Sequence, residues 1–85
     1  MNHFTNRKFW AFYARLPPDV RKRADENFEL LKTNPRHPSL HFKKVGRFWS
    51  VRVGEKHRTL GVESQRGIVW FWIGLHSEYD RITRK

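Results

Sequence analysis

Residues 47–79 read RFWSVRVGEKHRTLGVESQRGIVWFWIGLHSEY, and the predicted fold is built around this stretch. Phe48–Val53 alternates between apolar and polar side chains, a period of two that predicts a half-buried strand. Arg58–Glu63 is a second strand candidate, interrupted by Gly61. Ile68–Ile73 is apolar on both sides, which predicts a central strand covered on two faces. Short polar, glycine-containing turns separate the three runs and predict an antiparallel meander.

Two helices are predicted before this meander. The first, with Thr5 as its N-cap, is indicated by an apolar stripe at helical spacing: Phe9, Phe12, Tyr13 and Leu16. Pro17 stops it, and Pro18 can open a second helix, because proline is well tolerated in the first turn. The stripe of the second helix is Val20, Ala24, Phe28 and Leu31. After Asn34-Pro35, the residues Leu40–Val45 alternate loosely and predict a short edge strand bearing exposed lysines.

These elements predict one α+β domain over residues 1–85. An N-terminal helical hairpin packs on one face of a small curved antiparallel sheet of about four strands. The chain has no cysteine, so disulfides and thiolate metal sites are excluded. No apolar run approaches the roughly 18 residues that a membrane span needs, and the N-terminus lacks a signal-peptide core. We therefore expect a cytoplasmic protein that does not contact membranes.

The charge predicts a polyanionic partner. Eighteen Lys and Arg against eight Asp and Glu give a net charge of +10. Eight of the basic residues lie between Lys32 and Arg58, where Glu55 is the only acid. The other interpretation of this charge is a solubilising surface, although most domains stay soluble with a much smaller net charge.

Metal and cofactor chemistry is not indicated. Five histidines are present, but no HxxxH pair falls on a predicted helix, and Pro38 interrupts the pair formed by His37 and His41. No glycine-rich phosphate loop precedes a helix. We therefore expect no metal site and no small-molecule cofactor.

Four side chains at the ends of the predicted strands could cleave RNA without a metal. This reaction needs proton transfer from the 2′-hydroxyl and to the leaving 5′-oxygen, and cations that stabilise the phosphoryl charge. Arg52 and Arg58 suit the charged role, because a guanidinium binds phosphate bidentately. His76 and Tyr79 suit proton transfer. The structural alternative is that the arginines are solvent-facing, that His76 is a turn residue and that Tyr79 closes the core rim.

These residues resemble those of the RelE/ParE superfamily of bacterial toxins, and the ending HSEYD at residues 76–80 is similar to that of the HigB-like branch. The resemblance extends from the helical hairpin through KHRTLGV to WFWIGLHSEYD. It implies a helical pair on a small curved sheet. The family usually begins with a strand before the first helix, and only Met1–Phe4 could form one here.

The resemblance also implies an activity. Many members cleave messenger RNA on the ribosome without a metal and are held inactive by a cognate antitoxin. Arg58, His76 and Tyr79 are then the expected catalytic residues. The expected RNA- and phosphate-binding residues are Arg52, Lys43, Lys44, Arg47, Lys56 and His57. Two alternatives remain open: ParE-like inhibition of DNA gyrase, since that branch shares the fold, and an RNA-binding module without activity.

Overall fold

The computed structural model describes residues 2–83 and has the predicted α+β composition. Its elements, in chain order, are β1 (His3–Thr5), α1 (Arg7–Tyr13), α2 (Pro18–Thr33), a 3-10 turn (Pro38–Leu40), β2 (Lys43–Val45), β3 (Phe48–Val53), β4 (His57–Ser64), β5 (Gly67–Leu75) and α3 (His76–Thr83). The strands form one sheet in the order β1-β5-β4-β3-β2, so the predicted meander and the edge position of β2 are confirmed. No helix among the described residues is long and apolar enough to cross a bilayer.

The sheet has five strands and is mixed, so the prediction of about four antiparallel strands was wrong in two respects. The additional strand is β1, which pairs in parallel with β5 from His3–Ile68 to Thr5–Trp70. Three residues are too few to show a strand period, which is why the sequence alone did not predict it. The helical hairpin consequently follows a strand instead of beginning the chain.

The first helix begins one residue later than predicted. Its N-cap is Asn6, whose side chain accepts a hydrogen bond from the Phe9 backbone N–H at 3.0 Å. Thr5 is still part of β1, where its hydroxyl accepts a hydrogen bond from the Trp10 indole at 2.9 Å. The helix also ends earlier, at Tyr13, and Leu16 packs into the core from the following turn. The second helix begins at Pro18, as predicted.

One face of the sheet, here called the inner face, carries α1 and α2 and holds the larger core. The buried residues of this core are Phe9, Leu16, Ala24, Leu31, Leu40, Val51, Val53, Ile68, Trp70 and Ile73. Asn27 lies among them on α2, and its amide donates a hydrogen bond to the Arg52 carbonyl at 2.9 Å. Because a buried polar group needs a partner, this hydrogen bond fixes α2 on β3. It uses only the Arg52 carbonyl, and the Arg52 side chain lies on the opposite face of the sheet.

The opposite face, here called the outer face, is covered only in part, by α3. Residues paired across neighbouring strands share a face, so the register defines three rows on it. One row is Arg52, Arg58 and Gly74; the next is Lys43, Ser50, Leu60 and Trp72; the third is Val45, Phe48, Val62, Val69 and Phe4. A second, smaller core forms where Tyr79 of α3 packs on Leu60 and Trp72.

The segment after β5 is a helix. The chain turns directly from Leu75 into α3 at His76, and the His76 backbone N–H donates to the Lys56 carbonyl at 2.7 Å. Eight residues are too few for a helical stripe to stand out in the sequence, which is why α3 was not predicted. The helix brings His76 and Tyr79 over the first row of the outer face.

Candidate functional site

Arg58 is the centre of a cluster on the outer face. Its Nε donates a hydrogen bond to His76 Nδ1 at 3.1 Å, and its Cζ lies 5.1 Å from the centre of the Tyr79 ring. The two aromatic rings are themselves stacked, with centroids 5.5 Å apart. The structure therefore brings together the three residues that the sequence suggested as catalytic.

The hydrogen bond to Arg58 determines the tautomer of His76. Nδ1 accepts a proton donor, so it carries the lone pair, and the proton of the neutral ring is on Nε2. Nε2 points towards Asp80, whose Oδ2 is 3.5 Å away, one helical turn further along α3. Both imidazole nitrogens thus face protein groups. Transfer of a proton to or from substrate would require one of these contacts to be exchanged.

Tyr79 supports this cluster by packing into the second core. Its side chain is only 6% exposed and packs against Leu60 and Trp72, while the face of its ring receives the Arg58 guanidinium. A cation over an aromatic face is stabilised by the ring quadrupole. The Tyr79 ring therefore stabilises the position of Arg58 independently of any role of the Tyr79 hydroxyl.

Gly74 provides room for the Trp72 ring next to the cluster. It lies directly beside Arg58 on β5, and a Cβ atom at this position would be 2.7 Å from the Trp72 ring and 3.2 Å from Glu78 Oε1. Such a contact with Trp72 would force the second core, on which Tyr79 packs, to shift.

Two arginines face each other across β3 and β4. Arg52 is paired with Arg58 in the strand register, and like charges in this position destabilise a sheet. Arg52 Nε donates to the Gly54 carbonyl at 2.9 Å, and its Nη1 is 3.5 Å from His41 Nε2. Among the described residues, no carboxylate forms an ion pair with either arginine. The pair therefore creates a positive potential that an anion could neutralise.

One Arg58 nitrogen has no partner among residues 2–83. Its Nη1 is buried and makes no hydrogen bond there. A buried N–H without a partner costs about 1–3 kcal/mol. With Nε engaged by His76, Arg58 would have to shift to offer a two-nitrogen fork to a phosphate.

The remaining basic residues divide into two groups. Lys43 lies on the outer face, one row from Arg52, and Arg47 and Lys56 are exposed in the turns at either end of β3. Lys44 lies on the inner-face side of β2, where its Nζ binds Glu63 at 2.7 Å and lies over the Trp49 ring. This salt bridge lowers the pKa of Glu63, mainly through the Lys44 hydrogen bond. Lys44 is thus engaged away from the cluster.

His57 is also on the inner-face side. It pairs with Val53 and Leu75, one residue out of phase with Arg58. Partial burial lowers the pKa of His57 below its ordinary value, since burial penalises the imidazolium, although Asp19 opposes this shift. A neutral histidine on the far side of the sheet does not add to the phosphate-binding charge around Arg58.

The cluster lies on an open surface. A concavity of about 740 Å³ is found instead at the β5 edge between Leu16 and Ile82, and its described lining includes His57 and Gly74 but none of Arg52, Arg58 and Tyr79. Within residues 2–83, no three His, Cys, Asp or Glu side chains come together as a metal site would require. An open cationic row suits an extended polyanion better than a small enclosed ligand.

By sequence, the chain matches no protein-family model, and it matches no curated protein at a significant level. Solved structures do resemble it. It superposes on a chain of a RelB–RelE antitoxin–toxin complex from Methanococcus jannaschii with a TM-score of 0.69 and 20% identity, covering 92% of this chain and 96% of that one. It also superposes on the isolated E. coli RelE toxin with a TM-score of 0.62 and 9% identity, covering 96% and 95%.

The chain has the RelE fold. At these identities the likeness establishes the fold alone, and any activity depends on this chain's own residues. Asp80 is not among the site residues that the sequence suggested, and its carboxylate contacts His76. The i, i+4 spacing from His76 to Asp80 would have suggested this contact if α3 had been predicted.

Proposed function

We propose that this chain is the toxin of a type II toxin–antitoxin system, and that it cleaves messenger RNA on the ribosome without a metal. The observation that carries the proposal is the meeting of Arg58, His76 and Tyr79 beside Arg52 on an open, positively charged face. The RelE fold supports it, since similar chains occur as toxins and in a complex with an antitoxin. The HSEYD ending favours the HigB-like branch, and such a toxin would act in the cytoplasm.

In this proposal Arg58 stabilises the charge that develops on the phosphoryl oxygens. The Nη1 of Arg58 has no hydrogen-bond partner among the described residues. A shift of the guanidinium towards a phosphate is therefore favourable, because a phosphate oxygen would supply the missing acceptor. Arg52, opposite in the register, holds a neighbouring phosphate, and that phosphate offsets the repulsion between the two arginines. Lys43, Arg47 and Lys56 extend the positive surface along the RNA.

His76 acts through Arg58 in this scheme. The sequence suggested a proton-transfer group, but Nδ1 accepts the Arg58 hydrogen bond and Nε2 faces the Asp80 carboxylate, 3.5 Å away. We therefore assign His76 as the positioning residue for Arg58, with Asp80 favouring the tautomer that accepts the hydrogen bond. Tyr79 is left as the candidate for one of the two proton transfers, and the other proton is exchanged with water.

The proposal is tested by growth and by RNA cleavage. The wild-type chain, induced in bacteria without a partner, should stop growth, and primer extension should show new 5′ ends in translated messages. Arg58→Ala should reduce cleavage about 10²- to 10³-fold, the usual cost of losing one charge-stabilising donor. Arg66→Ala is the matched control, because Arg66 is exposed in the turn between β4 and β5.

Two results would overturn it. Growth arrest with intact messages and inhibited supercoiling would favour a ParE-like gyrase inhibitor. Full cleavage by Arg58→Ala, with an unchanged melting temperature, would remove the proposed site. The partner is tested separately: an adjacent gene product should restore growth and co-purify with the toxin.

A further inference from the structure

The outer face also carries an aromatic pair, which packs against the second core. Phe48 on β3 and Phe71 on β5 approach with ring centroids 5.7 Å apart, and both rings are half-buried. Val62, between them on β4, is 37% exposed, so this part of the sheet is open. Along β4, Val62 comes four positions after Arg58, a distance of about 13 Å at the usual rise per residue.

A bulge in β5 creates this pair. Leu60 pairs with Trp72 and Gly61 with Trp70, so Phe71 is the additional residue with no partner on β4. A bulge re-aims a side chain, and here it places Phe71 next to Phe48, although strict alternation would make Phe71 and Trp72 point to opposite faces. Gly61 permits this arrangement, since a Cβ there would lie 2.8 Å from the Trp70 ring.

Positive charge surrounds the aromatic pair. The Arg47 guanidinium lies 5.3 Å from the centre of the Phe48 ring, and Lys43 stands in the neighbouring row of the same face. Glu63, the acid next to Val62, alternates to the other face, where it binds Lys44. An open sheet surface with aromatic rings and adjacent cations is the arrangement by which proteins stack unpaired RNA bases.

We propose that Phe48, Phe71 and Arg47 form a stacking subsite for one unpaired base that flanks the scissile phosphate of the RNA. The subsite rests on the proposed function for the nature of the polymer and extends it by assigning where a neighbouring base is bound. Charge and continuity favour RNA as the occupant: the subsite shares its face with Arg52 and Arg58, and Arg47 adds a planar cation on which a base can stack. A protein segment seated on this patch is the competing outcome.

The test measures binding, so it does not depend on cleavage. A short single-stranded RNA with a 2′-deoxy sugar at the cleavage position is compared with copies that lack one base at each flanking position in turn. For the wild-type protein, one abasic position should weaken binding about 5- to 150-fold, the range for loss of one stacked base. 2-Aminopurine at that position should be quenched on binding. Phe71→Leu and Phe48→Leu keep apolar bulk for the second core while removing the ring.

Each variant has a defined expectation. Phe71→Leu and Phe48→Leu should weaken binding of intact RNA, abolish the quenching and lose no further affinity for the abasic RNA. Their log–log salt slope should stay at the wild-type value, whereas Arg47→Gln should reduce it by about 0.7. Trp10→Leu is the matched control, because Trp10 is an aromatic residue on α1 that is 49% exposed. This variant should bind RNA as the wild type does.

Three outcomes would overturn the subsite. The first is that no abasic position weakens RNA binding to the wild-type protein. This measurement does not depend on whether any variant folds. The second is equal loss for intact and abasic RNA in Phe71→Leu. The third is normal RNA binding by both phenylalanine variants together with failure to co-purify with a partner protein, which would assign the patch to protein docking. If the wild type binds RNA neither free nor on the ribosome, the proposed function fails first, and the two failures remain distinguishable.

Discussion

Two substitutions that replace the His76 imidazole with an amide can decide the role of His76. His76→Asn places a carbonyl oxygen near the position of Nδ1, so it can accept the Arg58 Nε–H bond now made at 3.1 Å, but it cannot transfer a proton. His76→Gln places its polar atoms near Nε2 and leaves Arg58 without this acceptor. If His76 positions Arg58, Asn should preserve activity and Gln should not. If His76 transfers protons, both variants should fail.

The expected magnitudes separate these cases. A hydrogen bond that involves a charged group contributes about 1.5–3 kcal/mol, and the lower end applies here because the contact is exposed to solvent. His76→Ala and His76→Gln should therefore lower kcat about tenfold, and His76→Asn should remain within about threefold of the wild type. Loss of proton transfer would instead cost about 10²- to 10⁴-fold in all three variants.

The assay is multiple-turnover cleavage of a defined message on ribosomes, with kcat and KM separated and the melting temperature measured for every variant. A pH–rate profile that keeps its shape in His76→Asn supports positioning. The reasoning is refuted if His76→Asn loses 100-fold or more in kcat while its melting temperature is unchanged.

Three further predictions follow from individual contacts. Tyr79→Phe keeps the ring under Arg58, so binding should persist, and a 10²- to 10⁴-fold loss of cleavage rate would identify the hydroxyl as the proton-transfer group. Gly61→Ala should reduce the free energy of unfolding by about 1–3 kcal/mol in urea titrations, because its Cβ would lie 2.8 Å from Trp70. Burial lowers the pKa of His3 below its ordinary 6.5, and His3 Nδ1 accepts from the Trp70 indole at 3.1 Å. The unfolded chain then takes up this proton first, so the melting temperature should fall as the pH drops below about 6.5, and less steeply in His3→Asn, which keeps the acceptor.

The elements that the sequence predicted are those with strong local signals. β3 shows a period of two, Pro18 opens α2, and Gly54, with φ of +65°, makes the turn between β3 and β4. Both missed elements, β1 and α3, are short and depend on the sheet. β1 is fixed by the edge of β5, and α3 by Tyr79 packing into the second core. Tertiary contacts of this kind leave little trace in a short window.

The candidate site was predicted in type and only partly in arrangement. Arg58, His76 and Tyr79 do meet, because the end of β5 lies beside the start of β4 and α3 folds back over it. Charge counting along the chain could not separate the faces. It grouped His57 and Lys44 with Lys43, although a one-residue offset in a strand turns a side chain to the other side of the sheet.

The inner face of the sheet holds the larger core, and the outer face holds the candidate site. The inner face is covered by α1 and α2 and includes an amide, that of Asn27, bonded to the Arg52 carbonyl. The outer face contains features that are unfavourable for a resting protein: two arginines side by side and a buried guanidinium nitrogen without a partner in the described chain. Local conflicts of this kind are expected where a ligand completes the site. An RNA phosphate between Arg52 and Arg58 would relieve the repulsion, so bound RNA should stabilise the wild type more than Arg52→Ala.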